Sequence, residues 1–534
     1  MSQNPRAEKP WSIHSPEGPW DVIVIGSGMG GMSCAALLAC LGRRVLVLEQ
    51  HYVPGGFTHT FSRKGYTWDV GVHAVGEVTT HSTIGRLLKR LTRGRLEWQT
   101  LGPVYDEFHY PDDFRIDFPD SPGKFRTRLL EAFPDEGPAI DGYLARVREV
   151  AGAMKGYYLA RALPRPLAWL GDAVLARRAK KLLTENTAEV IAKLTDNPRL
   201  RAVLAAQWGY YGSPPSRSSF AIQALVVKHF MHGGYYPVGG SARIAETLLG
   251  TVAEAGGWTR LRADVTEILI EGGRACGVRL ASGEELRAPE IVSAAGVLRT
   301  MKSMLPESYR TSAWGQSLEA LRPASAHVCL YIGFKGDITE AGASAANKWF
   351  YDTWDMEQEA WPISPDSELE DAPCLYTSFP SLKDPEHDPG PELRHTGEVV
   401  TFVPWESFEA WLGTRWKRRG DDYEAFKQRI QEKLLAQFLE RMPGLADMVE
   451  YVELSTPLST DTFCRPMRGS IYGIEPTPER FANSNLKPRS PLPGLTFAGS
   501  EVTAVGVIGA LIGGVLAAAS LAPIESFRFV KNET

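Results

Sequence analysis

The apolar positions near the start of the chain predict a strand, a tight turn, a helix and a second strand. Asp21 to Ile25 (DVIVI) is a continuous run of mostly β-branched residues, typical of a strand buried on both faces. A glycine-rich turn then leads into MSCAALLACLG, an alanine-rich stretch without proline that favours a helix. Val45 to Glu49 (VLVLE) is a second buried-strand run and ends in an acid. This order predicts a βαβ unit with parallel strands.

The hydrophobic period changes several times later in the chain. The alternation of Tyr66, Trp68 and Val70 predicts an antiparallel strand, whereas residues 121–217 are amphipathic with a helical period. Residues 261–296 alternate again and carry Gly-Gly and Ser-Gly turns, which predicts antiparallel strands. A further buried-strand run, LPGLTFAGSE, comes only near the end of the chain. Segments of one sheet are therefore separated by long insertions.

This layout predicts an α/β fold class with a Rossmann-like domain in three blocks and a second, mixed α+β domain. The Rossmann-like domain is expected at residues 20–120, 231–297 and 450–525, and the second domain at residues 121–230 and 298–449. Residues 1–19 contain no apolar core and no cleavage site, so we expect a flexible leader rather than a signal peptide or membrane anchor.

One segment has the length of a membrane span. Val502 to Ala522 (VTAVGVIGALIGGVLAAASLA) carries no charge over the twenty or so residues that a bilayer requires. It is also rich in glycine and alanine and follows a buried-strand run, which is typical of a helix packed inside a large α/β domain. We favour the buried helix.

Composition excludes several classes of protein. The 534 residues are 43% hydrophobic with a formal net charge of -5, which is ordinary for a globular protein and gives no basic surface for nucleic acid. The six cysteines are scattered without CxxC pairs, which argues against a zinc site and a disulfide framework. We expect no bound metal and a reducing compartment, the cytoplasm.

Three glycines of the first turn have the spacing of a dinucleotide-binding motif. Gly26 permits the tight turn, Gly28 lets the backbone approach a pyrophosphate, and Gly31 allows the helix to pack closely. The helix start offers free N–H groups to phosphates, and Glu49 would accept hydrogen bonds from ribose hydroxyls. We predict a dinucleotide site, and the alternative is a Rossmann-like unit that binds nothing. No second such motif follows a strand, so we expect an external electron donor or acceptor.

Further motifs resemble the phytoene desaturase superfamily of FAD enzymes. They are the Gly55-Gly56 pair, GYTWDVGVHAVG, YYPVGG, VSAAG, TPLSTDTFCRPMRGSIYG and FAGSEVTAVGVIGALIGG. Within the superfamily the chain is most similar to the retinol saturase and carotenoid isomerase group, over Trp20 to Ala522. The resemblance implies non-covalently bound FAD in the three-block domain. It also implies a substrate-binding domain with membrane-facing helices in the insertions.

The resemblance also implies which residues contact the cofactor. Glu49 is similar to the adenosine-ribose ligand, and Val265 to the residue whose backbone faces the adenine. Gly499 and Glu501 are similar to ribityl contacts, and a helix opening at Gly506 would point at the flavin. The expected cofactor-binding residues are Gly26, Ser27, Gly28, Met29, Gly30, Gly31, Glu49, Gly55, Gly56, Val265, Gly499, Glu501, Val507, Ile508 and Gly509. Phe57 follows the glycine pair where many members have arginine, which puts a pyrophosphate-side arginine in doubt.

His73, in DVGVHAVG, is the candidate catalytic residue. An imidazole titrates near neutral pH and can donate a proton when a double bond is reduced or shifted. The alternative is a histidine hydrogen-bonded to backbone. Asp69 is expected to hold the strand turn. Tyr235 and Tyr236 are candidates for lining an apolar substrate channel, with ordinary packing as the alternative.

A basic, aromatic-rich segment runs from Lys155 to Lys181. It carries one acid, Asp172, against the basic residues Lys155, Arg161, Arg165, Arg177, Arg178, Lys180 and Lys181. Such a segment can lie on an anionic membrane surface and admit an oily substrate. The alternative is a solvated helical face.

The implied function is that of an FAD-dependent oxidoreductase acting on carbon–carbon double bonds of an apolar isoprenoid or polyene lipid. Reduction and cis–trans isomerisation are the favoured reactions. The alternatives are a desaturase of the phytoene desaturase type, a flavin amine oxidase, and a lipid-escort protein that binds no flavin. The intact glycine motif, Glu49 and the closing helix argue against the escort protein, because it would need none of them.

Overall fold

The computed structural model describes residues 9–162, 177–358 and 360–531. Its strands are β1 (Trp11–Ser12), β2 (Val22–Ile25), β3 (Val45–Leu48), β4 (Thr60–Arg63), β5 (Tyr66–Asp69), β6 (Trp98–Thr100), β7 (Val104–His109), β8 (Arg115–Pro119), β9 (Tyr235–Pro237), β10 (Trp258–Arg260), β11 (Val265–Glu271), β12 (Arg274–Leu280), β13 (Glu285–Arg287), β14 (Glu290–Ser293), β15 (Ala326–Lys335), β16 (Asn347–Tyr351), β17 (Cys374–Ser378), β18 (Arg394–Val403), β19 (Val449–Ser455) and β20 (Leu495–Phe497).

The α-helices lie mainly between these strands. They are α1 (Met29–Cys40), α2 (Thr83–Leu91), α3 (Pro122–Ala132), α4 (Gly137–Ala162), α5 (Arg177–Leu183), α6 (Thr187–Ala192), α7 (Pro198–Ala205), α8 (Phe220–Phe230), α9 (Ala242–Glu254), α10 (Val297–Ser303), α11 (Glu307–Arg310), α12 (Ala313–Glu319), α13 (Asp421–Arg441), α14 (Pro457–Phe463), α15 (Pro478–Ala482), α16 (Gly506–Leu521) and α17 (Pro523–Lys531).

A six-stranded parallel sheet forms the first half of the fold. Its order is β1-β10-β3-β2-β14-β20. The runs VIVI of β2 and VLVL of β3 are buried at every position, as their continuous apolar pattern predicts. The flexible leader predicted through residue 19 is wrong at β1, because Trp11 and Ser12 pair with Thr259 and Arg260 at the sheet edge.

The uncharged stretch near the C-terminus is a buried helix, as its glycine and alanine content predicts. Helix α16 packs along α1, and the close approach depends on glycines. A Cβ at Gly30 would overlap the backbone of Gly499, and a Cβ at Gly514 would overlap Ser33 and the Gly30 carbonyl. Within the part of the chain that the structure describes, no helix is long and apolar enough to cross a membrane.

A seven-stranded mixed sheet forms the second half, in the order β19-β15-β18-β17-β16-β7-β8. Successive residues of a strand face opposite sides. Val399 and Val403 of β18 pack in the core with α13, whereas Val400 and Phe402 face the other way, into a cavity. Strands β7, β8 and β19 belong to this sheet. Residues 104–119 and 450–455 therefore pair in the mixed sheet, although the sequence predicts them within the blocks of the Rossmann-like domain.

Smaller elements complete the fold. Strand β5 is the antiparallel strand predicted from Tyr66 and Trp68, and it pairs with β4. Strands β11 to β13 form an antiparallel three-stranded sheet. Helices α3 to α8 build a helical insertion around one aromatic-rich core. Much of the basic segment, residues 163–176, lies outside the described residues.

Candidate functional site

A large cavity lies at the carboxyl ends of the parallel strands. Its wall includes Ile25–Gly26 at the end of β2, Leu48–Glu49 at the end of β3, Ala294–Gly296 after β14 and Ala498–Glu501 after β20. It encloses about 1990 Å³, including the part open to solvent. Ligands of open α/β sheets bind in the crevice beyond these strand ends.

The cavity wall fits a dinucleotide. Gly28, Gly499 and Gly506 line it, and a Cβ built at any of the three would meet no atom within 4 Å, so bare backbone faces the cavity. Helix α1 begins after Gly28 and α16 begins at Gly506, and no side chain caps either helix start. Their first N–H groups are therefore available to anionic groups such as a diphosphate.

Glu49 is held in place by its neighbours. Its Oε2 accepts hydrogen bonds from the Ser27 backbone N–H at 2.9 Å and the Ser27 hydroxyl at 2.5 Å, and its Oε1 accepts one from the His51 N–H at 2.8 Å. The Ser27 hydroxyl in turn accepts a hydrogen bond from the Gly55 N–H at 3.0 Å. A carboxylate has about four acceptor positions. Glu49 is thus oriented with room for a ligand hydroxyl.

Most of the predicted cofactor residues come together in this cavity. Those that line it are Gly26, Gly28, Met29, Gly30, Glu49, Gly56, Val265, Gly499, Glu501 and Val507. Ser27 and Gly55 lie behind Glu49 as described above. Gly31, Ile508 and Gly509 do not line the cavity. Gly31 and Gly509 pack against carbonyls of Gly26 and Ala504, and Ile508 lies in the core around α1.

Glu501 has a structural contact that the sequence did not indicate. Its Oε2 accepts a hydrogen bond from the Val297 N–H at 2.5 Å, at the start of α10. Burial raises the pKa of Glu501, and its hydrogen bond to the Val297 N–H opposes this effect. The predicted ribityl ligand therefore also holds the loop after β14.

Two arginines at this end of the cavity were missed. Arg299 and Arg465 both line it, and Arg465 Nη1 contacts Asp264 Oδ1 at 2.6 Å. Burial, and then the charge of Arg465, lower the pKa of Arg299. The sequence does contain a signal, since Arg299 follows the buried-strand run of β14 by only a few residues. Phe57, at the position where many superfamily members have arginine, lines the same cavity.

The far end of the cavity is an aromatic chamber. It is lined by Tyr210, Trp349, Tyr376, Phe402 and Tyr472. The Trp349 and Tyr376 rings lie 4.5 Å apart between centroids, tilted by 58°. The Tyr376 hydroxyl is buried and has no hydrogen-bond partner among the described residues. The mixed sheet thus supplies an apolar surface next to the dinucleotide end.

Tyr235 and Tyr236 do not line this chamber, so packing is the role that the structure gives them. Tyr236 is buried and its hydroxyl donates to Asp69 Oδ2 at 2.5 Å. Ser241 donates to the other oxygen of the same carboxylate. Tyr235 lies on β9 and its hydroxyl donates to the His232 carbonyl at 3.3 Å. Asp69 ties the end of β5 to the segment after β9, in line with the structural role expected of it.

His73 lies in the cavity wall. Its ring centroid is 5.2 Å from that of Tyr376, and its side chain keeps 13% of its surface exposed. Nδ1 is buried and lies 2.7 Å from Oε2 of Glu398, not against a backbone carbonyl. Glu398, in the middle of β18, is fully buried. The sequence of this strand, RHTGEVVTFV, mixes polar and apolar residues and carries no motif that marks Glu398.

A buried lysine lies beside this pair. The Lys383 ammonium donates hydrogen bonds to the His73 carbonyl at 2.7 Å, to Asn347 Oδ1 at 2.5 Å and to Ser378 Oγ at 2.7 Å. Asn347 in turn donates to Asp106, which also accepts from the Tyr210 hydroxyl at 2.7 Å. A polar network therefore runs under the aromatic chamber.

Burial dominates the charges of this network. It lowers the pKa of His73 to about 3, with Lys383 adding to the effect. It raises the pKa of Glu398 to about 8, although the Lys383 charge opposes the rise. It also raises the pKa of Asp69 to about 7 and lowers that of Lys383 to about 8. Each group is thus shifted toward its neutral form.

The chain is similar to several known proteins. Residues 29–522 match the family described as flavin containing amine oxidoreductase. An all-trans-retinol 13,14-reductase of Danio rerio is 33% identical, covering 92% of this chain and 84% of that protein. A chloroplastic prolycopene isomerase of an Oncidium hybrid cultivar is 26% identical over 86% of this chain and 76% of its own. Putrescine oxidase bound to putrescine superposes with a TM-score of 0.60 at 15% identity, covering 95% of this chain and 99% of that one, which is a likeness of fold.

Proposed function

The chain belongs to the family of flavin-containing amine oxidoreductases, and we propose that it is an FAD-dependent enzyme that acts on carbon–carbon double bonds of an apolar polyene. The aromatic chamber beside the dinucleotide end of the cavity carries this proposal. The similarity to a retinol reductase and a prolycopene isomerase supports it. Family membership also confirms the resemblance read from the motifs.

The residues of the chain bind and orient the reactants. Non-covalent FAD, when bound, supplies hydride transfer to or from a substrate carbon. Gly28, Glu49 and the start of α1 would hold its dinucleotide part, and the glycine at the start of α16 leaves room at the flavin end. The rings of Trp349 and Tyr376 would exclude water from the polyene and hold it by apolar contact.

We propose His73 as the proton donor or acceptor of the reaction. Its imidazole lies in the cavity wall next to the aromatic chamber. Reduction of a double bond needs one proton besides a hydride, and transient protonation of a double bond allows rotation about it in cis–trans isomerisation. A general acid of this sort typically increases the rate of a reaction by about 10²–10⁴-fold.

Desaturation and amine oxidation are the alternative reactions. A desaturase would run the same transfer backwards, with His73 accepting the proton. Amine oxidation is an alternative because the matching family is described as flavin containing amine oxidoreductase. The network below His73 favours the polyene, because it supplies a proton at neutral pH, which oxidation of an amine does not consume.

Several finer predictions belong to the same proposal. The FAD-binding domain is assembled from blocks within 20–120, 231–297 and 450–525, in support of which β2, β14 and β20 adjoin in one sheet. An external donor or acceptor exchanges electrons with the protein.

Cytoplasmic location and membrane contact through residues 155–181 remain predictions. Sedimentation with anionic liposomes at low salt tests the contact.

The test is anaerobic incubation of the chemically reduced holoprotein with all-trans-retinol or a carotenoid. We expect a product heavier by two hydrogens, or a changed isomer, and about a 100-fold slower reaction for His73→Gln. Neither product with any polyene, together with oxidation of an amine by the oxidised protein, would overturn the proposal.

A further inference from the structure

Glu398 lies behind His73, and each of its two oxygens has a close polar neighbour. Oε1 accepts a hydrogen bond from the Asp69 N–H at 2.8 Å, which fixes the carboxyl group. Oε2 lies 2.7 Å from His73 Nδ1, and neither of these two buried atoms has a well-aligned hydrogen-bond partner among the described residues, so the two are in close contact without an aligned hydrogen bond. The 2.7 Å separation places the two atoms within reach of proton transfer.

We propose that Glu398 and His73 form a proton relay into the cavity: Glu398 stores the proton between turnovers and passes it to Nδ1 as the opposite nitrogen of the ring protonates the substrate. This inference rests on the proposed function of the site. His73 is the catalytic residue of the pair, because its ring lines the cavity. Glu398 acts through it as a positioning and proton-storing residue.

The two ring nitrogens lie in different surroundings. Nδ1 is buried against Glu398, whereas the exposed part of the His73 side chain belongs to the cavity wall. The nitrogen at the cavity edge is therefore Nε2. Which nitrogen of a histidine carries hydrogen is set by the partner of the other. A protonated Glu398 donating to Nδ1 leaves the hydrogen on Nε2, where it faces the substrate.

Burial favours this neutral arrangement over an ion pair. Separating charge inside a protein costs more than a neutral hydrogen bond unless the charges are well solvated by the protein. The directions of the pKa shifts agree, since that of Glu398 rises to about 8 and that of His73 falls to about 3. At neutral pH the shared proton therefore resides on Glu398.

Lys383 stabilises the state that follows proton transfer. Its charge lowers the pKa of Glu398, and all three of its ammonium hydrogens are held by neutral oxygens near the pair. When Glu398 becomes a carboxylate, the ammonium is already oriented. No reorganisation of water is then needed during the transfer.

The other groups that face Glu398 do not supply the proton. Tyr331 and Cys329 on β15 and Tyr376 on β17 have pKa values raised by burial, so they stay neutral. Tyr236 stays neutral for the same reason and donates to Asp69. Burial raises the pKa of Asp69 to about 7, and the two oxygens of its carboxyl group accept hydrogen bonds from Tyr236 and Ser241.

Proton transfer through the relay breaks one bond for each bond that it forms. The O–H bond of Glu398 breaks as Nδ1–H forms, and the Nε2–H bond breaks as a C–H bond forms with the electron pair of the substrate double bond. The neighbouring carbon receives a hydride from a reduced flavin, which is oxidised. Glu398 is left as a carboxylate beside Lys383, and one proton from solvent restores the pair.

The first test needs neither substrate nor flavin turnover. Infrared difference spectra of the holoprotein, taken below and above about pH 8, report the carbonyl band of a protonated carboxyl. We expect Glu398→Gln to lack one such band that the wild type loses on raising the pH. Glu475→Gln is the matched control, because it removes another buried carboxyl, paired with Arg217, outside the cavity. An unchanged band in Glu398→Gln overturns the relay.

The second test is kinetic. We expect Glu398→Gln to lower kcat by about 100-fold with a nearly unchanged KM. The fall in wild-type rate above about pH 8 should also disappear in this variant. Glu398→Asp should restore part of the rate and the pH dependence, which a merely structural role would not predict. A full rate in Glu398→Gln contradicts the relay. If instead the wild type turns over no polyene while the infrared band is present, the proposed function is wrong. The band would still show that Glu398 holds a proton.

Discussion

At the residue scale, the cofactor end of the site depends on the orientation of one carboxylate. Glu49 accepts three hydrogen bonds from Ser27 and His51, and Ser27 is itself held by Gly55. The sequence motifs predict Ser27, Glu49 and Gly55 as cofactor-binding residues, but they do not predict His51. It could not show that Ser27 acts through Glu49, because that contact joins residues on two different strand ends.

We predict that Glu49→Gln weakens FAD binding by at least about tenfold. An amide cannot accept hydrogen bonds at both ends, and hydrogen bonds to a charged group contribute about 1.5–3 kcal/mol. Fluorescence titration of the apoprotein with FAD measures the Kd. Glu271→Gln, at an exposed ion pair with Arg287, is the control and should leave the Kd unchanged. An equal Kd for both variants would show that Glu49 is not a cofactor ligand.

The residues around His73 could be predicted from the sequence only in part. His73 was found because its motif resembles a family, and it does line the cavity. Its partner Glu398 and the neighbouring Lys383 lie more than 300 positions away in the chain, with no motif of their own. Only the pairing of β18 with β17 and the path of the chain after β17 bring them together.

At the element scale, the helices that hold the site are fixed by small residues. Gly30 and Gly514 let α1 and α16 approach until side chains larger than hydrogen would overlap backbone. The composition of α16 therefore reflects packing, which is why its uncharged sequence resembles a membrane span. The short strand β1 was not predicted, because two residues without a repeating pattern carry no periodic signal.

We predict that Gly514→Ala lowers the free energy of unfolding by about 1–3 kcal/mol, because the added methyl overlaps Ser33 and the Gly30 carbonyl. The control is the same substitution at Gly152. That glycine is exposed on α4 with nothing near its missing Cβ, and Gly152→Ala should stabilise by about 0.5–1 kcal/mol. Thermal unfolding of both variants measures this. Equal effects of the two substitutions would contradict the account of the α1–α16 contact.

At the scale of the whole molecule, one cavity joins the parallel sheet to the mixed sheet. The α/β fold class was predictable, because long apolar runs and glycine spacing are local signals. The exact division was not, since β7, β8 and β19 join the mixed sheet through pairings between distant residues. The aromatic chamber is also formed by distant segments, so its lining could not be read from the chain.

The buried acids make the stability of the whole molecule depend on pH. Asp69 and Glu398 have raised pKa values, about 7 and about 8. The folded state therefore binds their protons more tightly than the unfolded state does. Their contribution to stability is full below the unfolded pKa near 4 and is lost as the pH rises toward 8.

We predict that the melting temperature of Glu398→Gln rises relative to the wild type between about pH 5 and pH 8. The variant has no proton to lose at this position, whereas the wild type does. Glu271→Gln should show a constant difference over the same range. A constant difference for Glu398→Gln as well would mean that Glu398 is ionised in the folded protein throughout.

The most direct test of the central claim follows the absorption spectrum of the polyene itself. All-trans-retinol is mixed without oxygen with the reduced holoprotein, and the polyene band is recorded until it stops changing. Reduction shortens the conjugated system and isomerisation alters its shape, so we predict a shifted band with the wild type and a much slower shift with His73→Gln. An unchanged polyene band, with a flavin that is reduced by an amine instead, would contradict the account and assign the chamber to amine oxidation.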